Sequence, residues 1–496
     1  MAISNASYGQ AMTINRRSAI KLAGLASLVG TAPGLASAAF ASTTDDAAKE
    51  KADYTLRIAT GLVELARNHV VSTTLYNGQF PGPLLRLKEG RRVVVDVYND
   101  TDTPELVHWH GQMIPSDVDG AAEEGTPFVP AHGRRRIAFV PKPAGLRFYH
   151  THVFAGSDLN RGTYTGLAGP VYIEPKNEAG AYDRELFLML KEFEPSFSHR
   201  NDMPHGFLTG APSQDLRQIA KRSNGSSVKG FQVDYGLFGI NGKMLGEGEP
   251  IQVKQGERVL MHVVNASATE IRSLALPGHV FRIVALDGNP VPTPADVPVL
   301  WLGTAERVSA IVEMKNPGVW VLGDLDDDAR RLGMGIVIEY AGYSGEPKWV
   351  IPKAYKWDYS LFGNSEVSLA PDKTIDLTFA KHNAVANGFN LWTVNGKPFS
   401  MEALTPKFTV RSGKRYRLKF RNASNEVHPL HLHRHSFELR RIGGKSTAGV
   451  VKDVVMLDSY QEAEVDFTAD NPGPSLFHCH MQMHMDFGFM ALFDYA

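Results

Sequence analysis

One cysteine in 496 residues, Cys479, excludes any disulfide within the chain, and with it the stapled frameworks of small secreted domains. Charge of one sign is also missing. The 52 basic and 53 acidic residues give a net charge of −1, so no global attraction to nucleic acid or anionic lipid is expected and only local patches remain. No stretch beyond the N-terminus approaches membrane-spanning length. Helical periodicity is scarce. What is present is a globular composition, 43% apolar and 21% charged, with 46 Gly and 29 Pro, the balance of a turn-rich all-β chain. The length suits two to four domains.

The first 41 residues are set aside from the fold. Asn15-Arg16-Arg17-Ser18-Ala19-Ile20-Lys21 resembles a twin-arginine export signal, and a weakly apolar stretch runs from Ala19 to about Val29. Ala36-Ser37-Ala38 or Ala39-Phe40-Ala41 offers the cleavage site, so the mature chain begins near Ala39 or Ser42. The segment is short, rich in Ala and Gly, and broken by Pro33-Gly34, which suits a signal better than an uncleaved membrane anchor. The expectation is a periplasmic or otherwise exported protein, delivered folded by the twin-arginine machinery, with no stable membrane insertion. A lone thiol in such a compartment is a liability unless something occupies it.

Short β-branched and aromatic runs follow, and one unit is written three times. Tyr76-Asn77-Gly78 leads to Gly90 and Asn99, Ile240-Asn241-Gly242 to Gly256 and Asn265, and Val394-Asn395-Gly396 to Gly413 and Asn422. In each copy the second Gly precedes the closing Asn by nine residues. Asn-Gly hairpins are common, but three copies with one interval argue for three related β-sandwich domains, at about 48–178, 179–350 and 351–496. Pro347 to Tyr359 joins the second to the third.

Ten of the 18 histidines sit in four compact motifs. The first repeat has His108-Trp109-His110-Gly111 and His150-Thr151-His152. The third has His428-Pro429-Leu430-His431-Leu432-His433 and His478-Cys479-His480, with His484 following. The middle repeat has His199, His205, His262 and His279, never as an H-x-H pair. On a strand, residues i and i+2 share a face roughly 6.6 Å apart, at about 3.3 Å rise per residue. That spacing serves two neighbouring ions better than it chelates one. Four such pairs brought together supply eight imidazoles, enough for three metals. Cys479 points away from His478 and His480 and joins His428 and His484 in a His₂Cys set, the ligand set of a blue copper site. Zinc is the competing metal, but zinc hydrolases usually add carboxylates and need no thiolate between two imidazoles.

At these residues the chain, from about Tyr54 to Ala496, resembles the multicopper oxidase family of laccases, ascorbate oxidases, bilirubin oxidases and bacterial copper and iron oxidases. The resemblance implies three cupredoxin domains and four copper ions. It implies His428, Cys479 and His484 for type 1 copper, and His108 and His431 for type 2. It implies His110, His150, His152, His433, His478 and His480 for the type 3 pair. His435 falls on a position that is not a ligand in the family and reads as structural. Asp119 matches an acidic residue that supplies protons in bacterial members, although a turn role in Val118-Asp119-Gly120 is the plainer alternative. Cys479, His478 and His480 are the expected electron path to dioxygen.

Three positions depart from the family pattern. Phe489 stands where many bacterial members have an axial Met, with Met490 next to it, so either is the candidate axial neighbour. Arg434 replaces the usual Gly of the HLHGH motif and brings a positive charge near the ligands. Met485 follows His484 where some members have a Glu, and Asp486 is a possible substitute. The expected reductant docks at an exposed edge of His428 or His484. A phenol or aromatic amine, as in laccases, is the first expectation, and a cuprous or ferrous ion the second. Met481, Met483 and Met485 read as core packing ahead of soft copper donors, and Glu426 as a surface carboxylate ahead of a group that orients a cation or a phenol. A copper nitrite reductase and a non-catalytic structural homologue are the rivals from other classes.

Overall fold

Each Asn-Gly pair turns the chain back on itself. Asn77, Asn241 and Asn395 have φ of 53°, 54° and 52°, and the glycines after them are also left-handed, the conformation of a two-residue hairpin turn. In this computed structural model, residues 50–175, 182–199, 206–223, 228–364 and 369–496 are described. The expected export signal, His205 and the expected first domain junction lie outside them. Lys51–Ala496 forms one compact unit.

The repeat is a topological one. Its first strand pairs antiparallel with the strand ending or beginning at the Asn-Gly turn and parallel with the strand that closes on Asn. Thus Tyr54–Ala66 runs beside Val93–Asn99, Arg184–Ser198 beside Arg258–Asn265, and Lys373–Ala386 beside Arg415–Ala423. The closing Asn is fully buried in all three. Its Nδ2 donates to a carbonyl four or five residues on, that of Thr103, Glu270 or Glu426. Its Oδ1 accepts from the amide two residues on, of Thr101, Ser267 or Ser424. One buried Asn per repeat therefore pins the crossover to the opposite sheet, where a missing bond would leave a buried polar group unsatisfied.

The opposite sheets carry the chemistry. In the first sandwich the order is Leu85–Lys88, Ala168–Glu174, Gly145–His150, His108–His110; in the third it is Lys407–Val410, Met490–Tyr495, Ser475–Cys479, His428–Leu432, Val454–Leu457. The middle sandwich has a six-stranded sheet faced by Ile251–Val253, Gly335–Tyr340 and Val319–Gly323. The architecture is all-β, with three cupredoxin-like sandwiches. One helix of ten residues, Gln214–Ser223, was not expected; it buries Leu216 and Ala220, one turn apart, against the strands Lys373–Ala386 and Arg415–Ala423. No helix among the described residues is long and apolar enough to cross a membrane.

Candidate metal centre

Strand register brings the histidine motifs face to face. His108 pairs with His150 and His110 with Phe148, while His431 pairs with His478 and Leu430 with Cys479. The first and third sandwiches meet along these strands, and none of the eight imidazoles in the H-x-H pairs is more than 5% exposed. Donor atoms then fall into groups whose members all lie within 4.8 Å of one another: His110 with His150 and His480, His152 with His433 and His478, and His108 with His110 and His431. The rings of His110 and His431 stack at 3.9 Å and those of His108 and His433 at 4.0 Å.

In six of the eight rings the nitrogen turned away from the cluster is held by the protein, whereas Nδ1 of His152 and of His480 is buried without a hydrogen-bond partner. His108 Nδ1 faces the Asp119 carbonyl at 2.9 Å, His431 Nδ1 the Asp453 carbonyl at 2.7 Å, His150 Nδ1 the Thr151 carbonyl at 2.7 Å, and His478 Nδ1 the Cys479 carbonyl at 2.9 Å. His433 Nδ1 faces Asp119 Oδ2 at 2.9 Å, and His110 Nε2 faces Asp453 Oδ1 at 3.1 Å. Such contacts fix the tautomer and aim the other lone pair inward. Two of those inward atoms, Nε2 of His108 and of His431, are buried with no hydrogen-bond partner. Burial, reinforced by neighbouring imidazoles, pushes His110, His150, His152, His431, His433, His478 and His480 well below the usual histidine range. The rings are neutral donors, and bound metal ions would satisfy the unpartnered nitrogens. The set fits copper.

The second site is the Cys479 triad. Its Sγ lies 3.6 Å from His428 Nδ1 and 3.5 Å from His484 Nδ1. Burial, with the charge of Glu426 adding to it, pushes the Cys479 thiol far up, so a thiolate here requires a bound cation. Phe489 packs against the triad, its ring 5.0 Å from that of His428, whereas Met490 packs with Ala121, Leu476, Met485 and Leu492 on the other face of the strand. Neither histidine offers the open edge expected from sequence. His428 is fully buried and His484 is 3% exposed, because Trp392 lies over both rings, Ser424 Oγ meets His428 Nε2 at 2.8 Å, and Glu426 Oε2 approaches His484 Nε2 at 3.2 Å.

Family models described as multicopper oxidase match residues 57–178, 214–330 and 368–496. The multicopper oxidase MmcO of Mycobacterium tuberculosis is 30% identical over 448 residues, covering 86% of this chain and 84% of that protein. The chain belongs to the multicopper oxidase family. Laccase-3 of Thanatephorus cucumeris is 24% identical across 90% of this chain and 91% of its own length. Among solved structures, a multi-copper oxidase from Pseudomonas thermotolerans superposes with a TM-score of 0.66 at 25% identity, over 90% of this chain and all of that one. Fet3p, titled a multicopper oxidase that functions in iron import, shares the fold with a TM-score of 0.72 at 17% identity, over 89% and 90%. The protein is a copper oxidoreductase with oxygen as acceptor, and the zinc, nitrite reductase and non-catalytic alternatives give way to that.

The remaining sequence-predicted residues divide. Asp119 is fully buried behind His108 and His433, with Oδ1 without a hydrogen-bond partner. His435 spends both nitrogens on protein, on the His433 carbonyl and Tyr495 OH. Arg434 keeps a left-handed backbone (φ 61°), and its guanidinium donates to the carbonyls of Ile114, Asn471, Pro472, Gly473 and Pro474. It therefore clamps the loop before Ser475–Cys479, with its charge spent on carbonyl groups. Met481, Met483 and Met485 are buried, as packing requires. Asp486, pushed up to about 7 by burial, accepts from the amides of Ala155 and Gly156. Glu426 is a buried partner of Lys381 at 2.6 Å, contrary to the surface role expected of it. Sequence reasoning missed Lys381, Trp392, Arg307 and Asp453, none of which lies in a motif.

Proposed function

We propose that this oxidase holds four copper ions: type 1 at His428, Cys479 and His484, type 2 at His108 and His431, and a type 3 pair at the six remaining cluster histidines. The donor groups within 4.8 Å support that partition. Copper there supplies one-electron redox chemistry and the means to reduce dioxygen to water. The chain supplies the rest. Cys479 is bonded through its backbone to His478 and His480, so triad and cluster share one strand. Asp119 places Oδ1, a buried oxygen without a hydrogen-bond partner, beside two of these ligands, where a carboxyl can pass protons toward bound oxygen.

One cleft carries the substrate reading. About 460 Å³ in volume, it has His484 in its lining, and its walls include Met481, Met483, Asp234, Glu270, Asp326 and Asp328. Four carboxylates outnumber the one guanidinium of the wall, Arg272, which is 3.3 Å from Glu270; with two thioethers they form a hard-and-soft lining for a small cation, and the capped imidazoles leave no ring N–H for a phenol to bond. This favours a cuprous or ferrous ion over the phenol put first from sequence. A phenol or aromatic amine is the second reading, favoured by the apolar walls of Tyr235, Phe238 and Leu332 and by Glu270, which burial pushes up to about 7 and which can accept a phenolic proton.

Oxygen uptake by the copper-loaded chain with Cu(I), Fe(II) and a simple phenol, before and after combining Glu270→Gln with Asp234→Asn, tests this. The ion reading expects the KM for the ion to rise roughly tenfold, ~1.4 kcal/mol, with phenol turnover unchanged; selective loss with the phenol supports the second reading. Oxygen uptake with none of the three would end both. Cys479→Ser must lose blue colour and oxygen uptake together. The twin-arginine pattern supports export to the periplasm in the folded state, and Arg16→Lys with Arg17→Lys should keep the protein in the cytoplasm.

A further inference from the structure

We infer that Arg307, which belongs to the middle sandwich and its ligand-free repeat, is a positioning residue for the copper cluster, acting through Asp453 on His110 and His431. The inference rests on the four-copper reading above.

Arg307 opens the strand Arg307–Glu313 and is fully buried. Its Nη1 and Nη2 each donate to one oxygen of Asp453 at 2.6 Å, the two-pronged geometry that fixes a carboxylate in plane. Asp453 Oδ1 lies 3.1 Å from His110 Nε2, and the Asp453 carbonyl accepts from His431 Nδ1 at 2.7 Å. One residue thereby sets the back of a type 2 ligand and of a type 3 ligand whose rings stack. It also explains an inversion in the cluster. His110 turns Nδ1 inward, 3.4 Å from His150 Nε2, because its Nε2 is already committed to Asp453.

Arg307 is itself held from the middle sandwich. Nη1 donates to the Ala305 carbonyl at 3.0 Å and Nη2 to the Asp287 carbonyl at 3.1 Å. Asp287 Oδ2 accepts from the amides of Asp453 and Val454 and pairs with Lys452 at 2.9 Å. Lys452 also reaches Glu306 at 3.1 Å, which accepts from Tyr359 OH at 2.6 Å. Arg147 Nη1 stands 3.7 Å from Asp453. Three cations and three carboxylates are thus buried together, a costly arrangement that apolar packing often matches in stability, so its use is better sought in what it orients.

The glycine after His110 fits the same account. At Gly111 (φ 77°) a Cβ would stand 2.5 Å from Arg307 Nη2 and 2.6 Å from Asp453 Oδ2. The Arg307–Asp453 pair crosses the ligand strand where a side chain has no room.

The test uses the full copper-loaded chain, with Arg307→Met, Arg307→Lys and Asp453→Asn. The readouts are copper per chain, the type 2 paramagnetic resonance signal relative to type 1, and copper retention against a chelator. A wild type holding fewer than four coppers would defeat the four-copper reading and not the positioning role. With four in the wild type, Arg307→Met and Asp453→Asn are expected to weaken cluster copper retention roughly 10–100-fold and to alter the type 2 signal, the usual scale for outer partners of ligands. The blue band stays, and Arg307→Lys falls between because it keeps the charge but not the fork. An unchanged type 2 signal and unchanged retention in Asp453→Asn would overturn the inference. So would parallel loss of the blue band in both Arg307→Met and the near-isosteric Asp453→Asn, which would mark a fold-wide role.

Discussion

Glu426 Oε2 lies 3.2 Å from Nε2 of His484, with both side chains 4% exposed. Burial works to raise the Glu426 carboxyl, but Lys381 and His484 outweigh it and hold it well below the usual carboxylate range. A full negative charge therefore sits against His484 of the proposed type 1 site. It stabilises the more positive, oxidised ion, so Glu426→Gln is expected to raise the type 1 potential, read by redox titration of the blue band. Lys381→Met leaves the carboxylate without its main counter-charge and should cost roughly 3–5 kcal/mol in chemical denaturation, the scale for breaking a buried pair. Combining the two changes should recover much of that loss; a double variant as unstable as the single would refute the pairing.

Phe489 acts in the opposite direction to Glu426. Its ring fills the position beside His428 where a thioether donor would lower the potential. Phe489→Met is expected to lower the type 1 potential while the blue band persists. Phe489→Leu, which adds no donor, should leave the potential near that of the parent. Equal shifts in the two variants would mean that packing, and not the sulfur, sets the value.

What the sequence made legible was local or repeated. The buried Asn99, Asn265 and Asn422 each stand nine residues after the glycine of their repeat because each performs the same bonding at the same crossover. The H-x-H pairs were legible because a strand's period of two is written directly into the chain. The choice between Phe489 and Met490 was not, since it depends on Met490 pairing with His478 across the sheet. Glu426 looked like any surface carboxylate; its partner Lys381 is 45 residues away. Asp453 and Arg307 are 146 apart, and no spacing rule joins residues from different sandwiches. The helix Gln214–Ser223 buries only Leu216 and Ala220, too sparse an apolar face to outweigh the surrounding turn residues.

Glu105, bonded to Thr151 between two of the cluster histidines, gives a pH dependence of stability. Burial pushes it up to about 7, against bonds from Thr151 Oγ1 and the Leu106 amide. The folded carboxyl holds its proton more tightly than the unfolded one. Its share of stability is therefore full at pH values below about 4.5, declines as pH rises to about 7, and is flat above, a loss of up to about 3 kcal/mol. Glu105→Gln has no charge to bury and should remove that slope. Urea unfolding at pH 5 and pH 8 reads it, and a wild-type-minus-variant difference that does not change between the two pH values would count against the shift.

Substitution of Asp119 tests proton supply separately from electron entry. Its Oδ2 is 3.1 Å from His108 Nδ1 and 2.9 Å from His433 Nδ1, while Oδ1 is buried and unpartnered. Asp119→Asn keeps the shape and one acceptor toward the two rings but removes the acid. If Oδ1 supplies protons for oxygen reduction, steady-state oxygen uptake should fall on the order of 10²–10⁴-fold, the usual contribution of a positioned acid. Anaerobic bleaching of the blue band by the same reductant should proceed at the parental rate, because electron entry at the Cys479 triad does not involve Asp119. Copper content should also hold, since the ring contacts survive the change. Loss of cluster copper with unchanged uptake per remaining full site would assign Asp119 to ligand orientation alone. Slow uptake with all copper in place, and a larger solvent isotope effect than the parent's, would assign it the proton.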